Sequence, residues 1–292
     1  MRFPTVILEG TKLPRIIFSF QTATSSSDRG IYHLMEKAYE LGAWCFDLPS
    51  AIQLEAFKEL RNATGDRALT GLCHLEAETG VSFLGKPLHQ FEPKIISTIR
   101  KDLPSHLLQN IRSSPSSEVF TQKEIDRITL DPFRFDKTLS VFDPKDCPFV
   151  FFGEKYGDWL LALGRIDLLH EMVSKVRARG FIPVYSGQWT TFALPKAKPL
   201  KVAAYAFPIN KKRNLFDLQH ANDQIKRFDK PVISLNPLAD GKLLNESEGA
   251  FSFLFDELKI YAAVVKIASE EEAGRIIEVV KNIPSLIPPR KT

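Results

Sequence analysis

Eight short apolar runs, each followed by a stretch of helical periodicity, recur along this chain at residues 15–20, 43–48, 68–74, 148–152, 181–185, 202–207, 231–235 and 261–267. Within a run the apolar residues are consecutive rather than alternating, as in Arg15-Ile16-Ile17-Phe18-Ser19-Phe20 and Pro148-Phe149-Val150-Phe151-Phe152. A strand built that way has cover on both faces, which is the setting of a parallel sheet wrapped in helices. The first intervening segment places Ile31, Leu34, Met35, Ala38 and Leu41 on one helical face and ends at Gly42. Eight such units predict an α/β fold of the (β/α)8 TIM-barrel type, in which chemistry gathers at the C-terminal ends of the strands. A doubly wound open sheet is the alternative. It usually carries a glycine-rich turn after its first strand, and residues 21–25 contain no glycine.

The length of 292 residues suits one barrel domain spanning 1–292. Residues 75–146 exceed a single crossover and read as an insertion after the third strand, with candidate helices at 93–101 and 121–128. Ser113-Ser114-Pro115-Ser116-Ser117 separates the two, because such a run does not propagate a helix. An active-site lid and a structural flap are equal expectations for this segment. Capping boxes are expected at Ser50–Gln53 and Thr121–Glu124, and Ser269 is expected to cap the last helix, which runs to about residue 282.

Charge sets bounds on partners. Thirty-nine basic and 35 acidic residues leave a net charge of +4, too weak a bias to expect nucleic acid. Lys211-Lys212-Arg213 is a tight basic cluster, read as a solvated loop or as an anion site near the barrel mouth. Cys45, Cys73 and Cys147 lack CxxC spacing and are odd in number, so a disulfide framework or zinc site is not expected. No apolar stretch approaches the roughly 20 residues of a membrane span, and Met1-Arg2-Phe3-Pro4 does not read as a signal peptide. The expectation is a cytoplasmic protein that meets a small-molecule ligand, with oligomeric state left open. Twenty-two Phe against six Tyr point to apolar packing without polar handles.

The fold reading directs attention to polar residues where strands stop. Asp47 ends the apolar run Trp44-Cys45-Phe46, where an ionisable group needs a partner or a task. His74 ends the third strand and titrates near neutrality, as a general acid or base must. Glu154, with Lys155 and Asp158, follows the fourth strand and offers a further carboxylate for acid–base work or a surface ion-pair cluster. Asp47, His74 and Glu76 form a thin set for a metal, and no metal is expected. Lys266 near the end of the eighth strand is a Schiff-base candidate or the partner of a carboxylate. In Asn236-Pro237-Leu238-Ala239-Asp240-Gly241-Lys242 the proline fixes the strand exit, the glycine lets backbone approach a ligand, and Lys242 can meet an anion. Against a phosphate there, Glu270, Glu271 and Glu272 crowd the start of the final helix.

Residues 231–243, Pro-Val-Ile-Ser-Leu-Asn-Pro-Leu-Ala-Asp-Gly-Lys-Leu, resemble the seventh-strand segment of the aldo-keto reductases. Residues 43–47 resemble that family's second strand, which ends in the catalytic Asp, here Asp47. Lys266 to Arg275, with Ser269, resembles its eighth-strand cofactor-phosphate segment. The resemblance implies a barrel oxidoreductase that uses NADP, with Asn236, Lys242, Lys266 and Ser269 facing the cofactor. Three family positions depart from the pattern. Ile52 stands where the Tyr acid is expected, Cys73 and His74 where the Lys is expected, and Gly153 and Glu154 where the His is expected. His74 would then take the acid's place. Two further readings stay open beside the reductase: a lyase, isomerase or hydrolase using Glu154, Asp158 or Lys266, and a barrel that has lost catalysis and binds a ligand.

Overall fold

The computed structural model describes residues 3–20, 28–75, 80–104, 116–154, 156–212 and 218–283. Strands β1 (Thr5–Leu8) and β2 (Thr11–Pro14) form an antiparallel hairpin. Eight strands then close a parallel barrel: β3 (Ile16–Phe20), β4 (Cys45–Leu48), β5 (Thr70–His74), β9 (Phe149–Phe152), β10 (Ile182–Ser186), β11 (Ala204–Pro208), β12 (Val232–Leu235) and β13 (Ala262–Ile267). Each barrel strand pairs with the next in chain order, and β13 returns to β3. All eight apolar runs are therefore barrel strands, each shorter or displaced by a residue or two.

Helices α1 (Asp28–Glu40) and α2 (Ala51–Thr64) follow the first two barrel strands. The insertion between β5 and β9 holds a small antiparallel sheet of β6 (Val81–Phe83), β7 (Lys86–Pro87) and β8 (Ile128–Leu130). It also holds helices α3 (Glu92–Ile99), α4 (Gln122–Ile125) and α5 (Pro132–Leu139). The second half carries α6 (Gly157–Ala162), α7 (Ile166–Ala178), α8 (Thr190–Ala197), α9 (Leu218–Arg227), α10 (Ser247–Ser252) and α11 (Glu270–Asn282). No helix among the described residues is long and apolar enough to cross a membrane.

Two apolar layers explain why the runs read as continuous. Ile17, Cys45, Leu72, Phe149, Phe151, Val184, Ala204, Ala206, Ile233, Ala262 and Val264 point into the barrel and pack as one cluster. Their neighbours Ile16, Phe18, Phe46, Val150, Phe152, Tyr185, Tyr205, Phe207 and Val265 point outward against the helices. Successive strand side chains alternate between faces, so both sets are apolar only when both faces are covered. The hairpin closes the end of the barrel opposite the strand C-termini. Val6, Leu8 and Leu13 join the interior cluster, and Glu9-Gly10 makes a two-residue turn with positive φ at both positions (47° and 82°).

The structure corrects several local expectations. The segment expected to be helical over 121–128 is a single turn, α4, followed by strand β8. Its capping box does form, with Thr121 accepting from the Glu124 amide and Glu124 from the Thr121 amide. The box expected at Ser50 does not form, because the Ser50 hydroxyl hydrogen-bonds the Gln53 side chain instead. Cys45, Cys73 and Cys147 are buried free thiols. The serine-proline run lies partly outside the described residues.

Candidate active site

The same face alternation that builds the core places polar groups at the barrel mouth. Ser19 lies two residues beyond Ile17, Asp47 two beyond Cys45, His74 two beyond Leu72 and Lys266 two beyond Val264. Each continues an inward-facing column and so tops the core. Strand pairing sets Lys266 beside Ser19 and Ser19 beside Asp47. Asp47 pairs in register with Leu72, so His74 stands one inward position higher on the next strand.

These groups line a cavity of about 600 Å³ whose wall includes Ser19, Asp47, Gln53, His74, Glu154, Gln188, Asn236, Asp240 and Lys266. Phe20, Pro49, Pro208, Leu235 and Val264 supply its apolar surface. A concave site of this size with a few convergent polar groups is the usual form of a small-molecule pocket.

His74 is the centre of the arrangement. Its Nε2 lies 2.5 Å from the buried Asp47 Oδ1, and its Nδ1 lies 3.7 Å from Glu154 Oε2. Phe151 packs against the ring at a centroid distance of 4.8 Å and fixes its tilt. Burial works against charge on this imidazole, but Asp47, by charge and by hydrogen bond, and then Glu154 outweigh it, and the group is pushed up to about 10. Both ring nitrogens therefore carry protons at neutral pH. The Nε2 proton is committed to Asp47. The Nδ1 proton faces the cavity, and Glu154 stands too far away for a full hydrogen bond. Glu154 reaches this place because Gly153 turns the chain out of β9 with φ of 97°.

Asp158, at the start of α6, is a positioning group. Its carboxylate accepts the Tyr185 hydroxyl at 2.9 Å and the amides of Gln188 and Trp189 at 2.6 and 2.8 Å, which holds the loop that brings Gln188 to the cavity. Burial pushes its carboxyl up to about 6 against these three donors.

The residues expected to face a cofactor separate into two groups. Asn236 and Lys266 line the cavity, whereas Lys242 and Ser269 do not contribute to its wall. Asn236 adopts a left-handed backbone, accepts the Asp240 amide at 2.7 Å and donates to the Asp240 carboxylate at 2.8 Å. Lys266 is partly exposed and lies 3.8 Å from Asp240, so it is neither dry nor unpaired. The Ser269 hydroxyl accepts the Glu272 amide at 3.2 Å, while Glu272 accepts the Ala268 amide at 2.8 Å. Glu270 pairs with His33 at 2.9 Å. The first turn of α11 is closed by its own side chains and carries three acids, so the residues present there do not fit the additional phosphate of NADP.

Ile52, at the position of the reductase Tyr, is half exposed and lies outside the cavity wall. Glu76, Lys155 and Arg213 lie outside the described residues. Among the described residues, no three His, Cys, Asp or Glu side chains are arranged to hold a metal ion. Gln53, the expected capping-box partner of Ser50, lines the mouth and donates to the Phe20 carbonyl at 3.2 Å. The signal that finds it is position, in the first turn of α2, the helix that follows the strand ending in Asp47 and Leu48.

No protein-family model matches this sequence, and no curated protein matches it. Solved structures that align with this barrel include aldo-keto reductases. A holo-form aldo-keto reductase from Bacillus halodurans aligns with a TM-score of 0.58 at 11% identity, covering 97% of this chain and 92% of that one. A Klebsiella pneumoniae aldo/keto reductase solved with NADP and acetate aligns with a TM-score of 0.53 at 12% identity, covering 99% and 98%. A Brucella melitensis enzyme gives a TM-score of 0.54 at 11% identity, over 95% and 93%. At such identities the likeness establishes the fold alone, a closed (β/α)8 barrel.

Proposed function

We propose that the barrel mouth is an acid–base site for a small molecule, and that the His74 imidazolium gives or shares a proton with an oxygen of that molecule. The observation that carries this reading is the double carboxylate setting of one cavity-lining imidazole, with Asp47 on Nε2 and Glu154 beyond Nδ1. An acid of that kind stays protonated at neutral pH and stabilises negative charge developing on oxygen. Asp47 fixes the ring and its charge. Glu154, half exposed, is the group that yields its place to the incoming oxygen or takes up a proton released there. The test is ¹³C-histidine NMR with small carbonyl and hydroxyl probes. Movement of the His74 resonances on titration supports the reading, and resonances that stay fixed against the whole panel overturn it.

Carbonyl reduction is the second reading, favoured by the barrel form shared with reductases, one of them solved with NADP. A bound nicotinamide would supply the hydride for such a reaction. The Asn236 and Lys266 side of the mouth suits a polar ring substituent, but the α11 turn does not suit the extra phosphate. On this reading NADH binds more tightly than NADPH. Calorimetric titration of both dinucleotides checks it: failure of both to bind at millimolar concentration removes the reductase and leaves the proton donor standing.

A further inference from the structure

We infer that the site has a second compartment, an apolar side pocket beyond His74 that selects ligands carrying a hydrocarbon or aromatic arm. The inference rests on the proton-donor reading of His74. A separate cavity of about 300 Å³ lies between the first turn of α2 and the end of the insertion, behind Leu48, Leu54, Val141 and Phe142. His74 and Pro49 line both this cavity and the barrel mouth, so they form the wall between the two. The two compartments differ in chemistry. The mouth gathers charged and amide groups, whereas the side pocket offers mostly aliphatic and aromatic carbon, with Ser50, His74, Lys137 and Thr138 as its polar lining.

Val141 gives the second observation. It is 55% exposed beside the buried Leu48 and Leu54 and the half-buried Phe142 of this pocket. A ligand arm laid against it removes that surface from water. The arm then lies beside the imidazolium, with its reacting oxygen at Nδ1. Burial of a phenyl-sized group is expected to tighten binding about tenfold or more. Apart from Leu48 at the end of β4, the selecting residues Leu54, Val141 and Phe142 lie in α2 and the insertion.

The experiment compares acetone with 4-phenyl-2-butanone, two ketones that share the oxygen and differ in the arm. Affinities are read from the His74 resonances in the wild type and in Val141→Trp. That substitution fills the pocket from an exposed position and replaces no residue of the acid–base site. Circular dichroism verifies that the variant is folded, and Val141→Phe serves if it is not. The expected result is a preference for the aromatic ketone of about tenfold or more in the wild type. The substitution removes the preference and leaves acetone unchanged. Equal affinity for both ketones, or a preference that survives Val141→Trp, overturns the side pocket and spares the acid–base site. If neither ketone moves the His74 resonances, the acid–base reading fails and the side pocket fails with it.

Discussion

Asp47→Asn removes the charge that keeps the His74 ring protonated while leaving the ring buried. Burial then weighs against the charge with only Glu154 to oppose it, and the His74 pKa drops from about 10. Glu154→Gln lowers it by less, because Glu154 is half exposed and lies 3.7 Å away rather than 2.5 Å. Histidine ¹³C shifts followed between pH 5 and 11 in the three proteins give the order, and a His74 that titrates near 6.5 in the wild type overturns the assignment. The shift also has a stability consequence. Its folded pKa lies above the unfolded one, so the stabilisation is complete below pH 6.5 and is lost as pH rises through about 10. Denaturation of wild type and His74→Gln across that window should show the difference shrinking toward alkaline pH. On any substrate identified by the probe screen, His74→Gln is expected to lower kcat by roughly 100- to 10,000-fold, the usual worth of a positioned acid.

The short helix α6 and the loop before α8 form a unit held by one carboxylate. Asp158→Ala deprives the Tyr185 hydroxyl and two backbone amides of their acceptor in a buried place. The expected loss is about 3 kcal/mol, measured by urea denaturation. Asp158→Asn, which keeps one acceptor oxygen, should lose less. Gln188 leaves its position in the cavity wall when this anchor goes, so probe affinity falls along with stability. A variant that loses stability and retains full affinity would separate the loop from the site. The first turn of α11 behaves differently: Ser269, Glu272 and Glu270 are satisfied among themselves and with His33, which makes it a closed helix start.

The β1–β2 hairpin and the barrel are one packing unit, since the interior cluster is continuous from Val6, Leu8 and Leu13 to the strand residues above them. Leu13 is fully buried, and Leu13→Ala is expected to cost about 2–5 kcal/mol through lost burial and the cavity left behind. The mouth lies at the other end of the same core. The variant should therefore unfold at lower denaturant while its folded form keeps the His74 pKa and the affinity for carbonyl probes. A changed His74 pKa in the folded Leu13→Ala protein would show that the two ends are coupled through the core.

The sequence by itself determined the barrel, because a strand covered on both faces must be apolar at every position and eight such runs spaced by helical periods have one common solution. It also determined which polar residues stand where the strands stop, and so placed Asp47, His74 and Lys266 at one rim. It did not yield the hairpin plug, whose Glu9-Gly10 turn was there to be read, nor the small sheet of the insertion, whose strands are two or three residues long. Tertiary structure alone decided which rim groups pair. The stagger between β4 and β5 brings His74 onto Asp47 across 27 residues, Gly153 turns Glu154 toward the same ring, and Asp240 occupies Asn236 and Lys266. Those distances depend on strand register and loop direction, which are set by the packing of segments far apart in the chain, so no local pattern specifies them.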